Sequence, residues 1–380
     1  ERLLQRKRRK KFSIKKTLRL VVPLILIITI GLIYLINKDN INTYYLSKKT
    51  GYKENTINVM KDNDLDINIL NKKYSETLEN IINTEYFNPK YLSDYINITY
   101  HDNDTFLKDI NSLLTLGYSY TEINNIYNKL STDSINIIIN NTYIKDLNTI
   151  INLSYFKEDN LDRYLKYLNT SAKDLETSIT YVNIGLDNDY YTNVINIDNQ
   201  DDLAVLVNKY HKLSNDYVPS DLEKINSKYQ WLGRSNELRK DAREAFEKMC
   251  EAATKDNIYI YAGSGYRSYQ TQLYLYNTYV KRDGFKAAET YSARASYSEH
   301  QTGLAMDIAN KSGFISKNDK EYNWLVKNSY KYGFILRYPE DKENITGYMY
   351  EEWHYRYLGT TLAKEVYDSG LTYDEYLAQK

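Results

Sequence analysis

One cysteine, four prolines, four histidines and no net charge are unusually little for 380 residues. With Cys250 alone, no intrachain disulfide can form, and a disulfide-stapled secreted scaffold is excluded. An extracellular chain without disulfides fits a bacterial surface protein better than an animal one. Cys250 itself, within "AFEKMCEAA", reads as a small buried hydrophobe on a helix rather than a nucleophile. The zero net charge hides an asymmetry, because the opening "ERLLQRKRRKKFSIKKTLR" is strongly basic and the remainder is therefore net acidic. Cations confined to one short end argue against a nucleic-acid partner for the body of the chain.

The basic end runs into an uncharged stretch, "LVVPLILIITIGLIYLI", residues 20–36. Seventeen residues at about 1.5 Å rise give roughly 26 Å, close to the ~30 Å bilayer hydrocarbon. The run is long for a signal peptide, and no small-x-small cleavage site precedes "NKDNINTYY". It reads as an uncleaved transmembrane anchor over 20–37, inserted in the lipid bilayer. The basic segment 1–19 lies in the cytoplasm and the rest outside. Since the chain opens on Glu1 rather than Met, a few residues are expected to precede it. Pro23 falls early in the span, where amides lack helical acceptors anyway.

Residues 38–200 are poor in Gly and Pro and rich in Asn, Ile, Asp and Tyr. Their apolar positions keep helical spacing, as with Leu147, Ile150, Ile151 and Tyr155. "LENIINTEYFNPKYLSDYI" from Leu78 aligns with "LNTIINLSYFKEDNLDRYL" from Leu147, and Tyr74 matches Tyr143 at the same offset. Two copies of a small helical unit are predicted, forming an extracytoplasmic α-helical repeat stalk that could dock a protein partner. Asn88 or Asp159 is placed to cap the helix after each turn. His101, in "ITYHDNDTF", reads as a solvated loop residue.

From residue 201 to 380, Gly, Arg and Ala enter and strands and helices interleave. "LAVLVNKYHKL" reads as a strand with His211 at its exposed end. "SNELRKDAREAFEKMCEAATKDN" reads as a helix with Leu238, Ala242, Ala245, Phe246 and Met249 on one face. "YQTQLYLYNTYVKRDG" makes a second helix, and "IYIYAGS", "GLAMDIA" and "EEWHYRYLG" read as strands. No regular βαβ rhythm appears, so the expectation is an α+β domain, a small antiparallel sheet flanked by helices.

Two histidines stand in chemically shaped contexts, His300 in "SEHQTGLAMD" and His354 in "EEWHYRYLG". With Asp307 they supply the two-imidazole, one-carboxylate set that catalytic zinc sites use. Seven residues separate His300 from Asp307, so a regular strand would aim them to opposite faces, and a bend at Gly303 is required. By itself the pattern also describes a structural histidine before a small-residue strand. A carboxylate from "EEWH" would serve as general base, but spacing does not decide between Glu351 and Glu352.

Together "SGYRSYQTQ", "SEHQTGLAMDIA" and "EEWHYRYLG", in this order, resemble the VanY-type zinc D-alanyl-D-alanine carboxypeptidases, within the lysostaphin and hedgehog group. The resemblance covers roughly residues 200–365. It implies that His300, Asp307 and His354 bind Zn2+ and that Glu351 is the catalytic base. It also implies that Arg267 stabilises the oxyanion or holds the substrate's terminal carboxylate, and that Gln272 and Ser298 line the substrate pocket. The implied activity is removal of the terminal D-alanine from peptidoglycan stem peptides; an L,D-carboxypeptidase or dipeptidase on the same peptides is the alternative. A non-catalytic zinc-fold scaffold is the rival of another class, and it would have no need of Glu351 and Arg267. One departure stands out: "SARASYSEH" has Ala295 and Ser296 where relatives usually carry Pro-Gly.

Overall fold

A single helix, α1 (Arg2–Thr50), carries the apolar run in this computed structural model, which describes residues 2–380, the side chains of 2–17 and Leu20 excepted. The expected cytoplasmic segment 1–19 thus falls almost wholly outside the described side chains. From Val21 to Thr50 the helix is long and apolar enough, by length and composition, to cross a membrane. The helix continues past the apolar run, through residues 38–50. Its last turns are buttressed by polar contacts: Lys61 Nζ donates to Thr43 Oγ1 at 2.8 Å, and Ser47 Oγ donates to the Tyr52 carbonyl at 2.7 Å. Gly51, at φ +86°, then ends it with its N–H on the Ser47 carbonyl.

By internal contacts the chain divides into Glu1–Ile151 and Asn152–Lys380. Beyond α1, the first unit consists of short helices, from Glu54–Asp62 to Leu147–Ile150. Serine caps start several of them: Ser75, Ser131 and Ser119, the last in a full capping box with Glu122. Buried tyrosines must find partners for their hydroxyls, and the same solution recurs along the chain. Tyr95 Oη accepts from Asn88 N–H at 3.3 Å with Phe87 packed on its ring at 5.9 Å. In the second unit Tyr164 Oη accepts from Lys157 N–H at 3.2 Å, with Phe156 at 5.9 Å. Asn88 caps its 3-10 turn through Lys90 N–H, whereas Asp159 lies inside the equivalent turn and caps nothing. His101 is half-buried rather than fully solvated: its ring packs 5.1 Å from Tyr127 and 5.7 Å from Phe106.

In the second unit, residues 152–200 supply the helices Leu161–Thr170 and Leu175–Ile184. Asn183 Nδ2 donates to the Ala378 carbonyl, and Tyr181, Ile184, Ile345 and Ala378 share a buried cluster. The centre of this unit is a four-stranded antiparallel sheet. Its strands are β1 (Tyr261–Ser264), β2 (Ala305–Ala309), β3 (Phe334–Leu336) and β4 (His354–Tyr357), in spatial order β1-β2-β4-β3. Alternation along the strands sends Met306, Ile308, Phe334, Tyr355 and Tyr357 into an apolar core. There they meet Ala242, Phe246, Met249 and Ala253 of helix α2 (Lys240–Lys255), all fully buried. Burying side chains of the size of Phe246 and Met249 contributes about 1.5–3 kcal/mol each. Cys250 lies in the same core and its thiol pKa is raised by burial, as a structural cysteine requires. Leu238 belongs to a short strand before α2, not to the helix.

The other face of the sheet carries charge. Asp307, His354 and Arg356 project there, and Arg337 follows β3 with the same parity. The segment expected to be a strand near residues 203–212 pairs only at His211–Lys212, with Ile195–Asn196. An arginine explains the difference. Arg356 Nη2 donates to the carbonyls of Leu203 and Val205, so this apolar run is buried as a loop whose acceptors are taken by a side chain. His211 is half-buried rather than exposed, with Nδ1 at 3.0 Å from Asn208 Oδ1.

The bend between His300 and Asp307 falls on the glycine that the spacing predicts. A 3-10 turn, Glu299–Thr302, ends on Gly303 at φ +67°. A Cβ there would lie 2.9 Å from Leu222 Cδ2 and 3.0 Å from Arg239 Cγ. Gly303→Ala is therefore expected to destabilise the chain by about 1–3 kcal/mol, read by thermal unfolding. An unchanged midpoint would show that the turn tolerates a side chain.

Candidate metal centre

Three donors converge because of strand register. Asp307 and His354 are directly opposed on β2 and β4, and His300 comes over them from the 3-10 turn. Their ligand atoms lie within 4.8 Å of one another and all three residues are buried. His300 Nδ1 is 2.7 Å from the Gly265 carbonyl, which can only accept, so that nitrogen carries a proton and Nε2 is left bare. Gly265 itself is held close against the neighbouring strand, where a Cβ would fall 2.4 Å from the Glu237 carbonyl. His300 Nε2 sits 3.3 Å from Asp307 Oδ1 and is buried without a hydrogen-bond partner. His354 Nδ1 is 2.9 Å from the same oxygen.

Electrostatics sharpen the arrangement. Burial, reinforced by the Arg267 charge, pushes the His300 pKa down to about 4. Burial would raise Asp307, but the two imidazoles outweigh it and hold the carboxyl well below its usual range. Burial lowers His354 too, yet hydrogen bonds to Asp307 and Glu299 prevail and carry it up to about 9. The pocket thus demands positive charge beside Asp307. Two imidazoles, a carboxylate and an orphaned ring nitrogen at one point suit a zinc ion well.

Glu351 and Arg267 border this centre. Strand β4 begins only at His354, and a turn closed by His354 N–H on the Glu351 carbonyl brings both side chains inward. Glu351 is buried with Oε2 3.8 Å from His354 Nδ1, and burial pushes its carboxyl up to about 7; Glu352 is the more exposed of the pair. Arg267 Nη2 lies 3.8 Å from Asp307 Oδ2, its side chain is 22% exposed, and its Nε has no partner. Gln272 and Ser298 are buried, but no contact brings either to the donors. Gln272 Nε2 instead donates to the Ala293 carbonyl and braces the loop before His300. In that loop Ser296 takes a left-handed φ of +72°, the conformation a glycine would adopt freely. Its Oγ donates to Asn215 Oδ1 at 2.7 Å, which offsets the strain.

Known proteins are similar to this part of the chain. The profile of the VanY D-alanyl-D-alanine carboxypeptidases matches residues 235–360. The chain is 38% identical over 212 residues to the putative carboxypeptidase YodJ of Bacillus subtilis, covering 50% of this chain and 75% of that protein. The chain belongs to the VanY family. A D-alanyl-D-alanine carboxypeptidase of Enterococcus faecalis is 38% identical over 191 residues, 47% of this chain and 67% of its own. Among solved structures, a VanY D,D-pentapeptidase in complex with Zn(II) aligns at TM-score 0.40 and 36% identity, over 46% of this chain and 98% of that one.

The VanY motifs as read from sequence leave out a second layer. Glu299, adjacent to His300, has Oε2 3.3 Å from His354 Nε2, while Oε1 accepts from Arg337 Nε at 2.8 Å and Arg356 Nη1 at 3.0 Å. Burial would raise its pKa, but the two guanidinium groups hold it well below the carboxylate range. The Tyr338 ring packs at a tilt against the His354 ring, 5.0 Å between centroids, and the Tyr338 carbonyl accepts Glu351 N–H. The only hint in the sequence is the charged residue beside a histidine in "SEH". Arg337→Met would leave Glu299 and Asp374 short of a buried cation. A loss of about 3–5 kcal/mol is expected in denaturant unfolding; a loss under about 1 kcal/mol would contradict this charge balance.

Proposed function

We propose that the chain is a membrane-anchored, extracytoplasmic zinc carboxypeptidase that removes the C-terminal D-alanine from peptidoglycan stem peptides. The carrying observation is the convergence of His300 Nε2, Asp307 and His354 Nδ1 on one buried point, with a buried carboxylate, Glu351, 3.8 Å from His354 Nδ1. Family membership supports the substrate class. The apolar stretch of α1 supports the anchor, with the N-terminus cytoplasmic. The proposed peptidase lies within residues 201–380 and the helical stalk over 38–200, the stalk's last helices, 161–184, packing within the same unit as the peptidase.

In this reading His300, Asp307 and His354 would hold the metal. Bound zinc supplies Lewis acidity and makes a water more acidic. Glu351 takes the proton of the attacking water as its oxygen bonds to the terminal peptide carbonyl carbon. The same carboxyl then returns the proton to the nitrogen as the C–N bond breaks and D-alanine leaves. Arg267, a cation beside the centre with its side chain 22% exposed and its Nε unpartnered, binds the substrate's terminal carboxylate or the developing oxyanion. Ser298 and Gln272 shape the pocket wall.

The test separates binding from chemistry. Glu351→Gln is expected to keep one zinc per chain and to lose at least about a hundredfold in D-alanine release. Near-normal turnover by that variant would remove Glu351 from the mechanism. His300→Ala is expected to lose the zinc as measured by metal analysis, and full retention would contradict the ligand set.

A further inference from the structure

Glu299 sits at the middle of a buried charge cluster that the proposed chemistry does not use. Arg337 Nη1 donates to Asp374 Oδ2 at 2.6 Å, and Asp374 Oδ1 accepts from Asn208 Nδ2 at 2.8 Å. Asp374 lies on α3 (Tyr373–Ala378), so the cluster ties the C-terminal helix to β3, β4 and the turn bearing His300. Glu299, Arg337, Arg356 and Asp374 are each at most 2% exposed. Two cations and two anions cancel in charge, yet burying four such groups costs several kcal/mol each before pairing. An apolar cluster of the same volume would hold the elements together as well. What an apolar cluster cannot do is present a fixed carboxylate oxygen to an imidazole.

That acceptor is aimed at His354. Glu299 Oε2 faces Nε2, on the side of the ring opposite the Asp307 oxygen at Nδ1. The two histidines are thus set in opposite senses. The Gly265 carbonyl can only accept, which puts the proton of His300 on Nδ1 and its free nitrogen at Nε2, while Glu299 faces Nε2 of His354 and leaves Nδ1 on the Asp307 side. Resting on the zinc reading, we propose that Glu299 is a positioning residue for the metal. It fixes the tautomer and ring orientation of His354, and Arg337 and Arg356, the former anchored by Asp374, hold its carboxylate in place. Outer partners of metal-bound histidines commonly act in this way.

The experiment uses the full chain in detergent micelles, labelled with 15N-histidine and loaded with zinc alone. His354 is expected to show a slowly exchanging proton on Nε2 and a metal-shifted Nδ1. Zinc bound through Nε2, with the proton on Nδ1, would overturn the assignment while leaving the zinc reading intact. A chain that binds no zinc would overturn both. Glu299→Gln, titrated against a chromophoric chelator, is expected to bind zinc about 10–100-fold more weakly. Affinity within twofold of the wild type would reduce the cluster to a structural role. If that variant does not fold, Glu299→Asp keeps charge between the arginines while drawing the carboxylate back from Nε2, and it is held to the same criterion.

Discussion

Asp307 and His354 face each other across two antiparallel strands, with Oδ1 and Nδ1 2.9 Å apart. A slip of one residue in β4 would turn His354 into the apolar core and bring Tyr355 out in its place, away from Asp307. The remaining parts of the centre are adjustments around this pair. The 3-10 turn and left-handed Gly303 deliver His300 from the same chain segment, and the turn before β4 folds Glu351 back over His354. Gly265 brings a carbonyl close enough to orient His300.

The sheet is therefore two structures in one. Its apolar face against α2 supplies the stabilisation expected of a small α+β core. Its other face carries Asp307, His354, Arg356 and, just beyond β3, Arg337, with Glu299 laid over them. The charges there are compensated pair by pair, and Leu203 and Val205 contribute carbonyls to finish the Arg356 shell. Such a face offers little net stability for its cost. Its value lies in holding imidazoles and carboxylates at fixed positions, which is what a metal centre needs.

The donors, Gly303, the main helix and the three strands around the centre are legible in the sequence, because each leaves a local mark. A histidine, a small-residue strand and an acidic residue follow one another within residues 300–307, and helix α2 has a clean apolar face. The second layer is not legible. Glu299, Arg337, Asp374 and Arg356 meet only in three dimensions, and each alone looks like a surface charge. The loop through Leu203 and Val205 misleads for the same reason, since its apolar pattern suggests a strand and only a distant arginine makes a buried loop tolerable. His101 reads as solvated because the rings that cover it, Phe106 and Tyr127, lie on two different helices. The left-handed Ser296 shows the converse: its missing glycine is visible in the sequence, but Asn215, which makes serine workable there, is not.

A hydrolytic centre of this kind is tested most directly by its reaction. The zinc-loaded full chain, incubated with pentapeptide and tetrapeptide muropeptides, can be followed by mass spectrometry of the released amino acid. Loss of one D-alanine from the pentapeptide, with the tetrapeptide left intact and release abolished by chelation, is the predicted result. Release from neither peptide, or release undiminished after the metal is removed, would contradict it.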